Sequence, residues 1–206
     1  MAIFGALRAR RGGGRIIVGA TEHPSVYEAA MSMKGPYVIN EARVDKTGAY
    51  DVNMLAQSIA NDVAFVSVMQ VNNETGAIND IPAIYKAVKQ RAPMAIMHVD
   101  GVQGFLKVPF DAWYCDMYSI SGHKFHAPKG VGALYVKRGT RFAGGQIGGG
   151  QERNLRSGTT NTPGIMGMDA AIGYYTENID DIRQRLMNMK LRLASNLTSI
   201  SDTFIN

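Results

Sequence analysis

Val63–Gln70 reads VAFVSVMQ, and this stretch decides the fold. Seven residues in succession are apolar or small, with no alternation of polar and apolar positions. A strand covered on one face only would alternate, so an unbroken run describes a strand buried on both faces. Ala95–Val99 (AIMHV) and Met117–Ser121 (MYSIS) repeat the pattern downstream, and Arg15–Ala20 (RIIVGA) and Tyr37–Ala42 (YVINEA) precede it. Between these runs lie helical segments. Pro24–Met33 carries its proline in the first turn, where the missing N–H costs nothing. Asp51–Ala60 opens on a capping residue, and Ile81–Arg91 is amphipathic. Gly132–Val136 is a further strand, antiparallel or at an edge. From Thr162 to about Ser199 the pattern is helical, broken near Asn178–Asp180. Strands alternating with helices imply an α/β fold of three layers: a mostly parallel sheet with helices on both faces. Gly144–Gly150 is read as a mobile connector.

Composition bounds the function. The chain has 206 residues, with Lys+Arg 22 against Asp+Glu 17, a net charge of +5, and 46% hydrophobic residues. That is a globular balance. The positive charge is local: Arg8, Arg10, Arg11 and Arg15 form one patch, and Lys137, Arg138, Arg141, Arg153 and Arg156 another. Neither has the interleaved aromatics of a nucleic-acid surface, so no nucleic-acid partner is expected. The Arg-rich start is read as a surface helix. A single cysteine, Cys115, excludes an internal disulfide and any all-cysteine metal site. No apolar run reaches the roughly 18 residues of a membrane span, and no secretory signal is visible. A cytoplasmic protein with no membrane partner is expected.

In an open α/β sheet, chemistry collects beyond the carboxyl ends of the strands. The residues there are His23, Asn72 and Asn73, Asp100 and Gln103, then Ser121, His123 and Lys124. Lys124 leaves a strand into a tight turn, where a desolvated amine can form a Schiff base with an aldehyde cofactor; taken alone, a lysine there is far more often a solvated loop residue. Asp100 ends an apolar strand, where an unpaired carboxylate is costly. The pyridinium nitrogen of pyridoxal phosphate offers a partner, although capping of the Gly101–Gly104 turn also suits it. Gln103 can donate to a phenolic oxygen or remain a surface amide. Ser121 and His123, flanking a glycine, make a phosphate seat. His23 can stack on a ring or simply pack. The four histidines show no metal-ligand spacing, so no metal site is expected. Gly148–Thr160 has no Gly-Lys-Ser/Thr and is not a nucleotide P-loop. Cys115, just before a strand, is a packed small residue.

Five stretches then resemble one family in order. They are Glu22–Val26 (EHPSV), Val66–Gly76 (VSVMQVNNETG), His98–Gln103 (HVDGVQ), Ser119–Gly130 (SISGHKFHAPKG) and Gly148–Pro163 (GGGQERNLRSGTTNTP). Together they resemble the central part of a cysteine desulfurase of the nitrogen-fixation type, within the class V aminotransferases. The resemblance implies a fold-type I large domain incomplete at both ends. Residues 1–170 would form that partial pyridoxal-phosphate domain, and 171–206 a helix leading toward a small C-terminal domain. It implies pyridoxal 5'-phosphate as cofactor, with Lys124 joined to it and His23 stacked on its ring. Asp100 would face the ring nitrogen, Gln103 and Asn73 the phenolic oxygen, and Ser121 and His123 the phosphate. Thr159 would reach the phosphate of a partner subunit in a homodimer. The implied substrate is L-cysteine, giving L-alanine and an enzyme persulfide for a scaffold-type sulfur acceptor. The family's upstream phosphate turn, its carboxylate-binding arginine and its persulfide cysteine have no counterpart here; Gly19–Glu22 repeats the letters of the first but precedes His23. A truncated chain is therefore expected. Selenocysteine lyase, another class V aminotransferase, and an inactive binding or dimerisation module are the alternatives, with an anion- or nucleic-acid-binding domain a more distant one.

Overall fold

A computed structural model describes residues 1–203 and Ile205. Six strands form one sheet: β1 (Gly14–Gly19), β2 (Tyr37–Ala42), β3 (Val63–Met69), β4 (Ile96–Asp100), β5 (Met117–Ser121) and β6 (Gly132–Val136). The order is β2-β1-β3-β4-β5-β6. Every neighbouring pair is parallel except β5 and β6, so the last strand is both antiparallel and at the edge, as its sequence allows. Six helices accompany the sheet: α1 (Ala2–Arg8), α2 (Pro24–Met31), α3 (Val52–Ser58), α4 (Ile81–Arg91), α5 (Thr162–Glu177) and α6 (Ile179–Thr198).

The period of two assigns each strand residue to a face. Ile17, Val66, Val68, Met97 and Val99 face α3 and α4, meeting Leu55, Ile84 and Val88. Ile16, Val18, Phe65 and Met117 face α1 and α2, meeting Ile3, Leu7, Val26 and Ala30. These two cores cover β3 completely; all seven of its residues are buried. Between Arg15 and Ile16 the partner in β3 jumps from Val63 to Phe65, leaving Ala64 as the extra residue of a bulge.

Local chemistry sets the helix starts. Asp51 Oδ1 accepts from the backbone N–H groups of Asn53 and Met54 at 2.8 and 3.0 Å. Asp80 caps α4 through Ala83 N at 3.0 Å, and Asn161 caps α5 through Gly164 N at 3.1 Å. α4 is pinned to the sheet by Lys89. Its ammonium pairs with Asp116, whose carboxylate also accepts from Met97 N at 2.7 Å.

Two readings of the sequence change. The N-terminal segment is a helix, but not a surface one: Ile3, Ala6 and Leu7 are buried in the α1/α2-side core. α2 and α3 each stop two residues early, where Ser32 and Ile59 take the C-caps. The expected break at Asn178 separates α5 from α6. Tyr175 of α5 packs with Phe125 and Ala127 in a third cluster, and the boundary expected at residue 170 falls inside this helix. No residue of α6 is buried. Among the described residues no helix is long and apolar enough to cross a membrane.

Candidate functional site

The chain runs outward from β1 to β2, then returns to place β3, β4 and β5 on the other side of β1. In open α/β sheets such a reversal marks the ligand-binding position, here at the carboxyl ends of β1 and β3. The loops bearing His23 and Asn72–Asn73 leave the sheet there, with Asp100 one strand further.

His23 is the N-cap of α2. Its Nδ1 accepts from the backbone N–H of Ser25 at 3.2 Å. A backbone N–H only donates, so Nδ1 holds a lone pair and Nε2 carries the proton in the neutral ring. The ring is exposed at the rim. Asn72, not Asn73, builds the next turn. Its Oδ1 accepts from Glu74 N and Thr75 N at 2.9 Å each, and its Nδ2 donates to Thr21 O at 3.2 Å. Asn73 stands exposed beside it.

Asp100 is 4% exposed. Its Oδ1 accepts from Val102 N at 2.9 Å, so the turn-capping role is real. Among the described residues no cationic side chain forms an ion pair with it. Burial pushes its pKa above the usual carboxylate value, against the Val102 N–H and the nearby His23, which favour the charged form. The turn after it is pressed down tightly. A Cβ on Gly101 would lie 1.9 Å from Tyr118 Cζ, and one on Gly104 would lie 2.1 Å from Gln70 Oε1. Tyr118 Oη donates to that same Gln70 oxygen at 2.6 Å, fixing the floor.

Lys124 lies in a 3-10 turn, Gly122–Phe125, that ends at His126 in the left-handed region (φ 68). Phe125, 1% exposed, anchors the turn. Lys124 is half-buried, and among the described residues no hydrogen bond or ion pair engages its ammonium. Ser121 Oγ and His123 Nδ1 are 2.9 Å apart at the mouth of the turn. Gln103 is half-buried and its Oε1 accepts from Lys107 Nζ at 3.3 Å. Lys107 was not expected. Burial, and then the charge of Lys124, lowers its pKa from the ordinary lysine value. Its spacing of four from Gln103 was visible in the sequence; its burial was not. Thr159 is exposed in the loop before α5. Among the described residues no hydrogen bond joins Asn73 or Thr159 to the other site residues. Cys115 is fully buried, and burial raises its thiol pKa to about 12, the packed state expected of it.

Among the described residues, a buried carboxylate without a cation, an exposed imidazole near it, and an unengaged lysine one strand away with a hydroxyl–imidazole pair stand at the carboxyl ends of the strands. They fit a flat, protonated heteroaromatic ring bearing an aldehyde and a phosphate. With such a group bound, Asp100 would supply the counter-charge, His23 the ring face, Lys124 the amine and Ser121–His123 the anion contacts.

Comparison with known proteins bears on the family and the fold. A cysteine desulfurase of Nostoc sp. (strain PCC 7120 / SAG 25.82 / UTEX 2576) is 40% identical over 100% of this chain and 52% of its own length. The cysteine desulfurase IscS of Shewanella pealeana is 36% identical over 94% of this chain and 49% of its own. The chain thus spans about half the length of the curated relatives it matches. Among solved structures, a NifS-like protein superposes with a TM-score of 0.90 at 34% identity, covering 95% of this chain and 55% of that one. DndA from Streptomyces lividans gives 0.86 at 34% identity, covering 97% and 57%. The description aminotransferase class-V matches residues 1–206 in full, and the chain belongs to that family.

Proposed function

We propose that this chain is the cofactor-holding part of a pyridoxal-phosphate-dependent cysteine desulfurase, acting on L-cysteine to give L-alanine and protein-bound sulfur. The observation that carries the reading is Asp100: a buried carboxylate with no cationic side chain paired to it among the described residues, at the end of β4, on the rim that also presents His23 and Lys124. When bound, the cofactor supplies an electron sink for bonds broken at the substrate's α-carbon. The protein's residues do the rest. Asp100 holds a proton on the ring nitrogen. His23 covers the ring face, with its own proton on Nε2. Gln103, oriented by Lys107, and Asn73 face the phenolic oxygen. Ser121 and His123 hold the phosphate, and the Lys124 amine is the covalent attachment point and the base. Thr159 reaches toward the phosphate of a second copy in a homodimer.

The sulfur-accepting thiol is not Cys115. A nucleophilic sulfur must be a thiolate within reach of solvent and substrate, and a fully buried thiol with a pKa near 12 is neither. These 206 residues hold no other cysteine, so the thiol that receives sulfur lies outside them. Transfer to a scaffold-type acceptor, in the cytoplasm, is the setting proposed.

The test is the near-visible absorption of the chain with added pyridoxal phosphate, before and after borohydride. Wild type is expected to show a band that reduction fixes to the protein. Lys124→Ala is expected to lose it. No alanine is expected from cysteine at an enzymic rate. Absence of the band in wild type would sink the proposal.

A further inference from the structure

Beneath the rim runs a row of buried polar side chains that the proposed chemistry does not use. Ser67 Oγ donates to Glu22 Oε1 at 3.2 Å. Ser67 Oγ and His98 Nδ1 are 2.8 Å apart, and His98 Nε2 and Ser119 Oγ are 2.7 Å apart. Ser67 is 0% exposed, His98 1% and Glu22 7%. The His98 ring also stacks on Phe65, with centroids 6.1 Å apart.

A serine hydroxyl has one proton. Given to the Glu22 oxygen, it leaves Ser67 Oγ to accept, so His98 donates from Nδ1. Its Nε2 then accepts from Ser119. Three bonds run in one direction, from β5 to the turn after β1.

The ends of this row are the site. Glu22 immediately precedes His23. His98 precedes Asp100 by two residues and points to the same sheet face. Ser119 is the register partner of Asp100 in β5. β1 and β4 are not neighbours, since β3 lies between them, so no backbone ladder joins the His23 strand directly to the Asp100 strand. The side-chain row does. Burying Glu22, Ser67 and His98 is costly compared with apolar side chains of similar size. Among the described residues Glu22 Oε2 has no hydrogen-bond partner, and the three bonds that are made hold the strands that carry them in one arrangement.

We propose that His98 is a positioning residue for the cofactor seat: bonded to Glu22 through Ser67 and to Ser119 directly, it fixes the separation of His23 and Asp100. This rests on the reading of that seat as one for a pyridine ring. The first readout needs no cofactor. In the ¹⁵N-labelled chain, His98 is expected as a single neutral tautomer protonated on Nδ1. Ser67→Ala removes the Nδ1 acceptor and is expected to move the proton to Nε2, where Ser119 can accept it. The second readout is titration with pyridoxal phosphate. His98→Phe keeps the ring against Phe65 and removes both bonds. It is expected to bind roughly tenfold more weakly, the equivalent of one good net hydrogen bond, and to shift the absorption maximum. His98→Asn, with its amide near the Nδ1 position, is expected to restore the arm to Glu22 and most of the affinity. Should the Phe variant not fold, Ser119→Ala breaks a link at the half-buried end and is expected to lose about threefold. A wild-type band with variants of unchanged affinity and maximum overturns this inference alone, as does a His98 that titrates with averaged nitrogen signals. A wild type without a band overturns the reading of the seat and this inference with it.

Discussion

At the scale of the residue, His98 gives the molecule a pH signature. Burial lowers its pKa from 6.5 to about 3. Below pH 6.5 the unfolded chain binds a proton there that the folded chain refuses, so stability falls as pH falls from 6.5 toward 3. The slope from this residue alone is about 1.4 kcal/mol per pH unit. Glu22 and Asp100 act in the opposite sense. Their folded pKa values are raised, so the folded chain binds more protons than the unfolded one and gains stability as pH falls. The His98 contribution is isolated by comparison: denaturant melts of wild type and His98→Phe between pH 7 and 4.5 are expected to diverge, with wild type losing more. A parallel pair of curves would contradict the buried neutral imidazole. His98 also marks a boundary of sequence reading. Period two gave its face, opposite to Val99. It could not give Ser67 and Ser119 as partners, because these lie on other strands and only the register brings them within 3 Å.

At the scale of the element, what was legible followed burial. β3 stands out because a strand covered on both faces needs an unbroken apolar run, whereas β5 keeps only Met117 and Tyr118 buried and carries two serines. β6, read as antiparallel or at an edge, is both, and caps such as Asp51 announce themselves in the sequence. α1 was misjudged because its arginine-rich end outweighed Ile3, Ala6 and Leu7, whose helical spacing carries the packing. Lys89 illustrates a contact that no local pattern contains. It reaches from α4 to Asp116 with only 25% and 11% of the two side chains exposed. Lys89→Met leaves Asp116 buried without its cation and is expected to cost about 3 kcal/mol, since breaking one partner of a buried pair costs more than replacing both. Urea unfolding measures this directly. Replacing both residues, with Asp116→Asn retaining the contact to Met97 N, is expected to recover part of the loss.

At the scale of the whole molecule, two properties follow from how the layers close. α6 packs only Ile179 and Ile182 against the third cluster, and Leu186, Met187, Met189, Leu191 and Leu193 are each about half exposed or more. With Met166 and Tyr174 of α5 they leave an apolar surface of the kind that drives association. The chain is expected to sediment as more than a monomer at micromolar concentration, and Leu186→Lys with Leu193→Lys is expected to shift it toward monomer. Unchanged sedimentation would place the contact elsewhere. The second property comes from the reversal of strand order at β1. Because of it, His23, Asp100 and Lys124 are far apart in sequence yet stand at one rim, each at the end of a different strand. A molecule gripped by all three is therefore a cross-link between distant segments, made without a disulfide. It binds only the assembled sheet, so a hundredfold excess over its Kd adds about 2.7 kcal/mol against unfolding. Occupancy of the rim would then be read in the melting temperature of the entire sheet, even in a chain that turns over no substrate.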